Sequence, residues 1–357
     1  MMKALEKILN IGKKVLGTSL LLGGLAFSST SCGLFPLPNE TGKIVFSTSD
    51  YYTDKKIWSV NVNGSNLTKI SDNCDSNGEI DVSPNKENIA FISSSMNEDI
   101  DESSIPIITD LEGNIVKKVN EEWGSNDLSW THDGNSLLLG GWSYIKRYDL
   151  INSSAHILAG YDDYVLSHNP IMSPNSKKIA YTMHSWGNEY DNFVLDSDGE
   201  NEEVIASSDN LGTTFFNEDL NLSWLDDETL IWKNANNDMI YHYNLNTKTV
   251  TEINPKINFD SMSLSPDKKT LAMYGFLDDM HFIETGELSS RTVNPKNTKI
   301  RASDIDWSPT ADYFVVVNNA WNRNLKIYNK NLKEYRLLEH HELPKGDEIG
   351  DIKWVTD

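Results

Sequence analysis

Eight histidines, fifty-three carboxylates and ten tryptophans equip this chain for metal binding, acid–base chemistry or ring stacking, and spacing decides among these. Nucleophilic catalysis finds no support, because no G-x-S-x-G elbow exists to hold a strained serine above a sheet. No H-x-H or H-x-x-x-H pair marks a metal site. The adjacent His340 and His341 would point to opposite sides of a strand. His168, His184, His242 and His281 are far apart in sequence, so only a fold that gathers them across repeats would let them share a metal. The DSDGEN bend at 196–201 opens like a calcium loop but lacks the full ligand spacing, and it reads as a turn.

Two further sets carry binding chemistry. Tyr51, Tyr52, Trp123, Trp142, Tyr161, His184, Trp186, Trp321 and Arg323 fall in polar stretches between apolar runs. Acids such as Asp72, Glu122, Asp162, Asp163 and Asp219 lie in the same stretches. Aromatics beside carboxylates suit a peptide with basic residues, or stacking on sugars. The alternative is that single rings pack between structural elements. The second set is Glu79, Asp127, Asn169, Asn221, Ser261, Asp304 and Asp351, one polar residue opening each of seven similar segments.

Those segments are a repeat. They read EIDVSPN, DLSWTHDG, NPIMSPN, NLSWLDD, SMSLSPD, DIDWSPT and DIKWVTD. Anchored on Ser83, Thr131, Ser173, Leu225, Ser265, Ser308 and Val355, they recur at intervals of 48, 42, 52, 40, 43 and 47 residues, the length of a four-stranded propeller blade. A β-type run follows most of them (NIAFIS, SLLLGG, KIAYTM, TLIWKN, TLAMYG, YFVVVN), then a third run such as IPIITD or LKIYNK. A shorter fourth follows, read as LTKIS, IVKKVN, HILAG, EVIAS, TVTEI, RTVN and YRLLE. GKIVFSTS at 42–49 is a second strand with no first, and DIKWVTD is a first strand with no second, so each completes the other. The expectation is an all-β, seven-bladed β-propeller of four-stranded blades, closed by pairing the N- and C-terminal strands in one blade.

That architecture places the two polar sets. First strands line the central channel, so their opening residues form a polar ring at one mouth, where oxygen ligands could hold a divalent cation. The alternative is that an acid there caps or solvates a turn. The aromatic and acidic set falls in the loops from second to third strand and from blade to blade, on one rim, where propellers carry function.

The phrase W-S-P-D-G-K-x-I-A-F that DIDWSPT and MSLSPDKKTLAMYG approach resembles the repeat of TolB-type, WD-repeat-like propellers, and the resemblance covers the chain from Gly42 onward. It implies a binding scaffold. Propellers of this type also occur in polysaccharide lyases that use cross-blade His, which implies the alternative of a lyase-like enzyme with a metal at the channel mouth. TolB carries an α/β domain ahead of its propeller, and the expectation here is a chain without it.

The N-terminus places the molecule. Lys3, Lys7, Lys13 and Lys14 precede an apolar run from Val15 to Phe27, too short to span a bilayer, and then small residues leading to Cys32. Residues 1–31 read as a lipoprotein-type signal, with Cys32 the acylated N-terminus, 32–41 a tether and 42–357 the propeller. The alternative is a plain secretory signal. Two or more acyl chains suffice for stable anchoring. Cys74 is then left as a free loop thiol. The formal charge of −22 argues against nucleic acid and anionic lipid as partners. The sequence therefore points to a monomeric, exported, lipid-anchored scaffold on the periplasmic or cell-surface side of the bacterial envelope. Its partner would be a protein or glycan, and no cofactor is called for beyond the channel cation.

Overall fold

The computed structural model describes residues 41–49, 55–74, 80–93, 105–119, 125–161, 165–184, 190–207, 222–233, 238–290, 293–318, 324–338 and 348–355. They form seven antiparallel sheets, the seven blades of a β-propeller. Blade 1 is assembled from both ends of the chain. Its order is Glu348–Val355, Lys43–Ser49, Lys55–Asn61 and Thr68–Cys74, with Ile44 opposite Trp354 and Phe46 opposite Ile352. Closure in one shared blade is as the repeat predicts.

Blades 2 to 5 and blade 7 each run as four consecutive strands, from the first strands Ile80–Val82, Ser125–Trp130, Leu166–Met172, Ser223–Trp224 and Asp304–Trp307. Blade 6 departs from the pattern. After Ser261–Leu264, one strand, Thr270–Glu284, covers both the TLAMYG and MHFIET runs. Its partner is Lys296–Ala302, so the fourth strand is not at RTVN but several residues later. A 3-10 turn, Thr285–Ser289, occupies the gap and is the only helical element among the described residues.

Where the core sits follows from the sheets being covered on both sides. Second strands such as SLLLGG and TLIWK are buried at every residue, because alternate side chains enter the layers on opposite faces of the same sheet. Seven apolar clusters result, each filled by two successive blades. Ile44, Phe46, Ile352 and Trp354 of blade 1 meet Val315, Val317, Leu325 and Ile327 of blade 7. The other six join blades 1–2, 2–3, 3–4, 4–5, 5–6 and 6–7. Cys74 lies in the 1–2 cluster at 0% exposure, so the thiol expected in a loop is a core residue at the end of a strand.

The turns between first and second strands repeat one device. Ser83, Ser173 and Ser265 hydroxyls donate to Asn85, Asn175 and Asp267 and accept the backbone N–H five residues on, which pins the Ser-Pro turn. Turns between third and fourth strands use glycine where a neighbour crowds them. Gly113 has φ +90°, and a Cβ there would lie 2.8 Å from the Ile70 carbonyl oxygen of blade 1.

Blades also approach backbone to backbone. A Cβ on Gly140 of blade 3 would lie 2.5 Å from the Ser167 carbonyl oxygen of blade 4. Gly140→Ala is therefore expected to force the two sheets apart and destabilise the protein by about 1–3 kcal/mol, the usual effect of overpacking. Urea denaturation of the variant against the parent checks this.

Candidate functional site: the channel and the loop face

First strands of successive blades touch, as Asp304–Trp307 does with Glu348–Val355 and the latter with Ile80–Val82, so they surround the axis. Their alternation sorts the repeat. Ile305, Trp307, Ile352 and Trp354 enter the inter-blade clusters, while the residues between them look into the channel. Of the residues expected in the ring, Asn169, Ser261, Asp304 and Asp351 line one cavity, Asp127 bonds to Asn169, and Glu79 and Asn221 lie outside the described residues. Two residues further along the strands a second layer follows, with Ile171, Ser263, Asp306 and Lys353 on one cavity and Asp81 at the matching place in blade 2. Part of this wall encloses a cavity of about 530 Å³, where Asp304, Asp306, Asp351 and Lys353 share the lining with Asn169, Ile171, Ser261 and Ser263.

The acids of both layers are used between blades. Asp306 of blade 7 accepts the Trp354 N–H of blade 1. Asp351 of blade 1 accepts the Ile80 N–H of blade 2 at 2.6 Å, and Asp81 of blade 2 accepts the Trp130 N–H of blade 3 at 2.7 Å. Asp127 of blade 3 accepts the Asn169 N–H of blade 4 at 3.3 Å and lies 2.8 Å from His168 Nδ1. Five consecutive blades are thus stitched by carboxylates to backbone amides, charge-assisted bonds that also satisfy the carboxylates. Indole N–H groups of Trp130 and Trp224 add bonds to the carbonyls of Asp81 and Ile171 in the preceding blade. Those of Trp307 and Trp354 are buried without a partner among the described residues.

Lys353 balances this wall. Its ammonium is 3.3 Å from Asp351, and against the penalty of enclosure the carboxylates of Asp351, Asp306, Asp81 and Asp304 hold it well above its ordinary pKa. Enclosure pushes Asp81, Asp304 and Asp306 up, the last to about 6, with the Asp351 charge adding to the rise at Asp304. The Lys353 ammonium thus stands among these carboxylates, one layer from the ring of opening residues where the sequence suggests a divalent cation. Among the described residues no group of three or more His, Cys, Asp or Glu could hold a metal.

The four histidines are dispersed. His168 is on the first strand of blade 4 against Asp127, His184 ends the second strand of the same blade, and His242 and His281 are on third-strand segments of blades 5 and 6. Burial lowers the pKa of His242.

On the loop face, Trp142 is 44% exposed at the two-residue turn of blade 3. The turn is braced twice, since Trp142 bridges to Leu166 of blade 4 and the Ser143 N–H donates to the Val165 carbonyl at 2.7 Å. Tyr161, by contrast, turns inward. Its hydroxyl meets Tyr181 and Glu202 of blade 4, and burial followed by the Glu202 carboxylate raises its pKa. It packs between blades, the alternative weighed for single rings. His184 sits at the rim of blade 4. Tyr51, Tyr52, Trp123, Trp186, Trp321 and Arg323 lie outside the described residues, as does Cys32.

No protein-family model and no curated protein matches the sequence. Solved structures do match. An oligogalacturonate lyase in complex with manganese is 11% identical over 86% of this chain and 89% of its own, with a TM-score of 0.58. A functionally unknown protein from Desulfotomaculum acetoxidans is 16% identical over 87% and 99%, also at 0.58. TolB from Acinetobacter baumannii, the family whose repeat the sequence resembles, is 13% identical over 88% and 67%, at 0.48. What such structures share with this chain is the propeller fold, which serves enzymes and binding proteins alike.

Two predictions test the channel network. Lys353→Met leaves several enclosed carboxylates without their counter-charge. The expected loss is about 2 kcal/mol at neutral pH, less than for a dry ion pair because the Lys353 side chain is 34% exposed. The second concerns pH. Asp306 is raised from its ordinary 3.8 to about 6, so the stability it contributes is present below 3.8 and is lost as pH rises through about 6. Asp306→Asn keeps an oxygen for the Trp354 N–H and is expected to flatten that decline. Denaturation midpoints across this window measure both effects.

Proposed function

We propose that this chain is an exported, lipid-anchored scaffold of the bacterial cell envelope that binds a protein or glycan partner through its loop face. The observation that carries the reading is Trp142. Its half-exposed aromatic ring is held on a hairpin braced to the next blade, pre-organised to pack against a partner as a binding anchor. The channel carboxylates support the same reading from the other side, because their bonds to neighbouring blades commit them to the ring. Among the described residues the histidines are not gathered with two further His, Cys, Asp or Glu into a metal-holding group, which a cross-blade lyase-like centre would need. Anchoring follows from the segment before Cys32, whose diacylated form would hold so acidic a body at a membrane.

Affinity capture from envelope extracts tests the loop face. The parent is expected to recover a partner that Trp142→Ala and Trp186→Ala recover poorly, and full recovery by both variants would sink the assignment. Cys32→Ser is expected to move the protein from the membrane to the soluble fraction. A variant that stays with the membrane would remove the anchor from the proposal.

A further inference from the structure

Blade 6 is where the chain abandons its own rule, and such departures in an otherwise regular fold point to function or strain. Third and fourth strands are joined by the four residues 111–114 in blade 2 and 245–248 in blade 5. In blade 6 the connection runs from Thr285 to Pro295, eleven residues. Leu288 and Val293 tuck it into the core shared with blade 5, so the insertion is anchored. Its polar residues Glu287 and Asn294 then wall a cavity of about 410 Å³ between blades 6 and 7, on the face carrying the Ser-Pro turns. That volume is within the ~300–1,000 Å³ of ordinary small-ligand sites.

The cavity has an aromatic floor and a rim of mixed charge. Phe282 and Trp307 form the floor, with ring centroids 5.6 Å apart, backed by Phe314 at 5.4 Å from Trp307. Among the described residues the Trp307 indole N–H, like that of Trp354, is buried without an acceptor, whereas Trp130 and Trp224 each find a carbonyl. Around the rim, Lys269, Lys296 and Lys330 stand among Asp267, Asp312, Glu284 and Glu287, and Lys330 is already 2.6 Å from Asp312. An anion would meet the carboxylates and a cation the ammonium groups.

We infer that this cleft binds a neutral saccharide. The C–H face of a sugar ring fits the aromatic floor, and each hydroxyl both donates and accepts, which lets it bond to carboxylates, ammonium groups and amides together. The cleft lies on the face opposite Trp142, so the inference does not rest on the loop-face reading.

Saturation-transfer NMR and calorimetry of the full chain, against neutral mono- and disaccharides at millimolar concentration, test it. Saturable binding is expected, weakened about tenfold by Glu287→Gln and by Asn294→Ala and unchanged by Trp142→Ala. Both cleft substitutions are at exposed positions, so unchanged melting temperatures should accompany the loss. Three results would overturn the proposal: no saturable saccharide binding, affinity that both cleft variants retain, or tighter binding of charged sugars or amino acids than of neutral sugars.

Discussion

The ring depends on one strand, Glu348–Val355, and on the ammonium it carries inward. A propeller has no core that one blade can complete alone, so each sheet must find a neighbour on both faces. The closing strand supplies Ile352 and Trp354 to the blade 7–1 layer, Val355 to the blade 1–2 layer, and Asp351 and Lys353 to the channel. Lys353 answers carboxylates from blades 7, 1 and 2 together. Without it, the acids that stitch those blades would repel one another in an enclosed space.

This arrangement explains the character of the channel. A wall of carboxylates normally suggests a cation site, and here the chain provides its own cation from the strand that closes the ring. The acids then do two things together: they accept backbone amides of the next blade and they neutralise the lysine. Blades 4 and 6 put Asn169, Ser261 and Ser263 on the same cavity, uncharged polar groups beside the apolar Ile171. Charge on this cavity is therefore confined to residues of blades 7 and 1, a property that the repeat, read as a uniform polar ring, does not express.

The two ends of the disc differ for a related reason. On the Ser-Pro turn face, hydroxyl-pinned turns repeat closely from blade to blade, and the eleven residues 285–295 stand out against them. On the loop face, Trp142 and Tyr161 show how similar residues in similar loops part company. A two-residue turn braced to blade 4 holds Trp142 outward. Tyr161 follows the end of a fourth strand, within reach of Tyr181 and Glu202, and hydrogen bonding there turns its ring into the gap between blades.

By itself the sequence determined the blade count, the closure in a shared blade and most strand positions. Each of these rests on local alternation and on turn chemistry that recurs at a fixed period. Period-two alternation also contained the second channel layer, since Asp81, Asp306 and Lys353 lie two residues beyond the polar residues of the first ring. Tertiary structure alone decided what those groups do. Whether an acid binds an ion, a lysine or an amide depends on which blades become neighbours and how far apart their first strands lie. Burial of Cys74, the long strand of blade 6 and the cleft beside it are likewise products of packing. The residues of a polar connection give no local sign of which side chains of the next blade will face them.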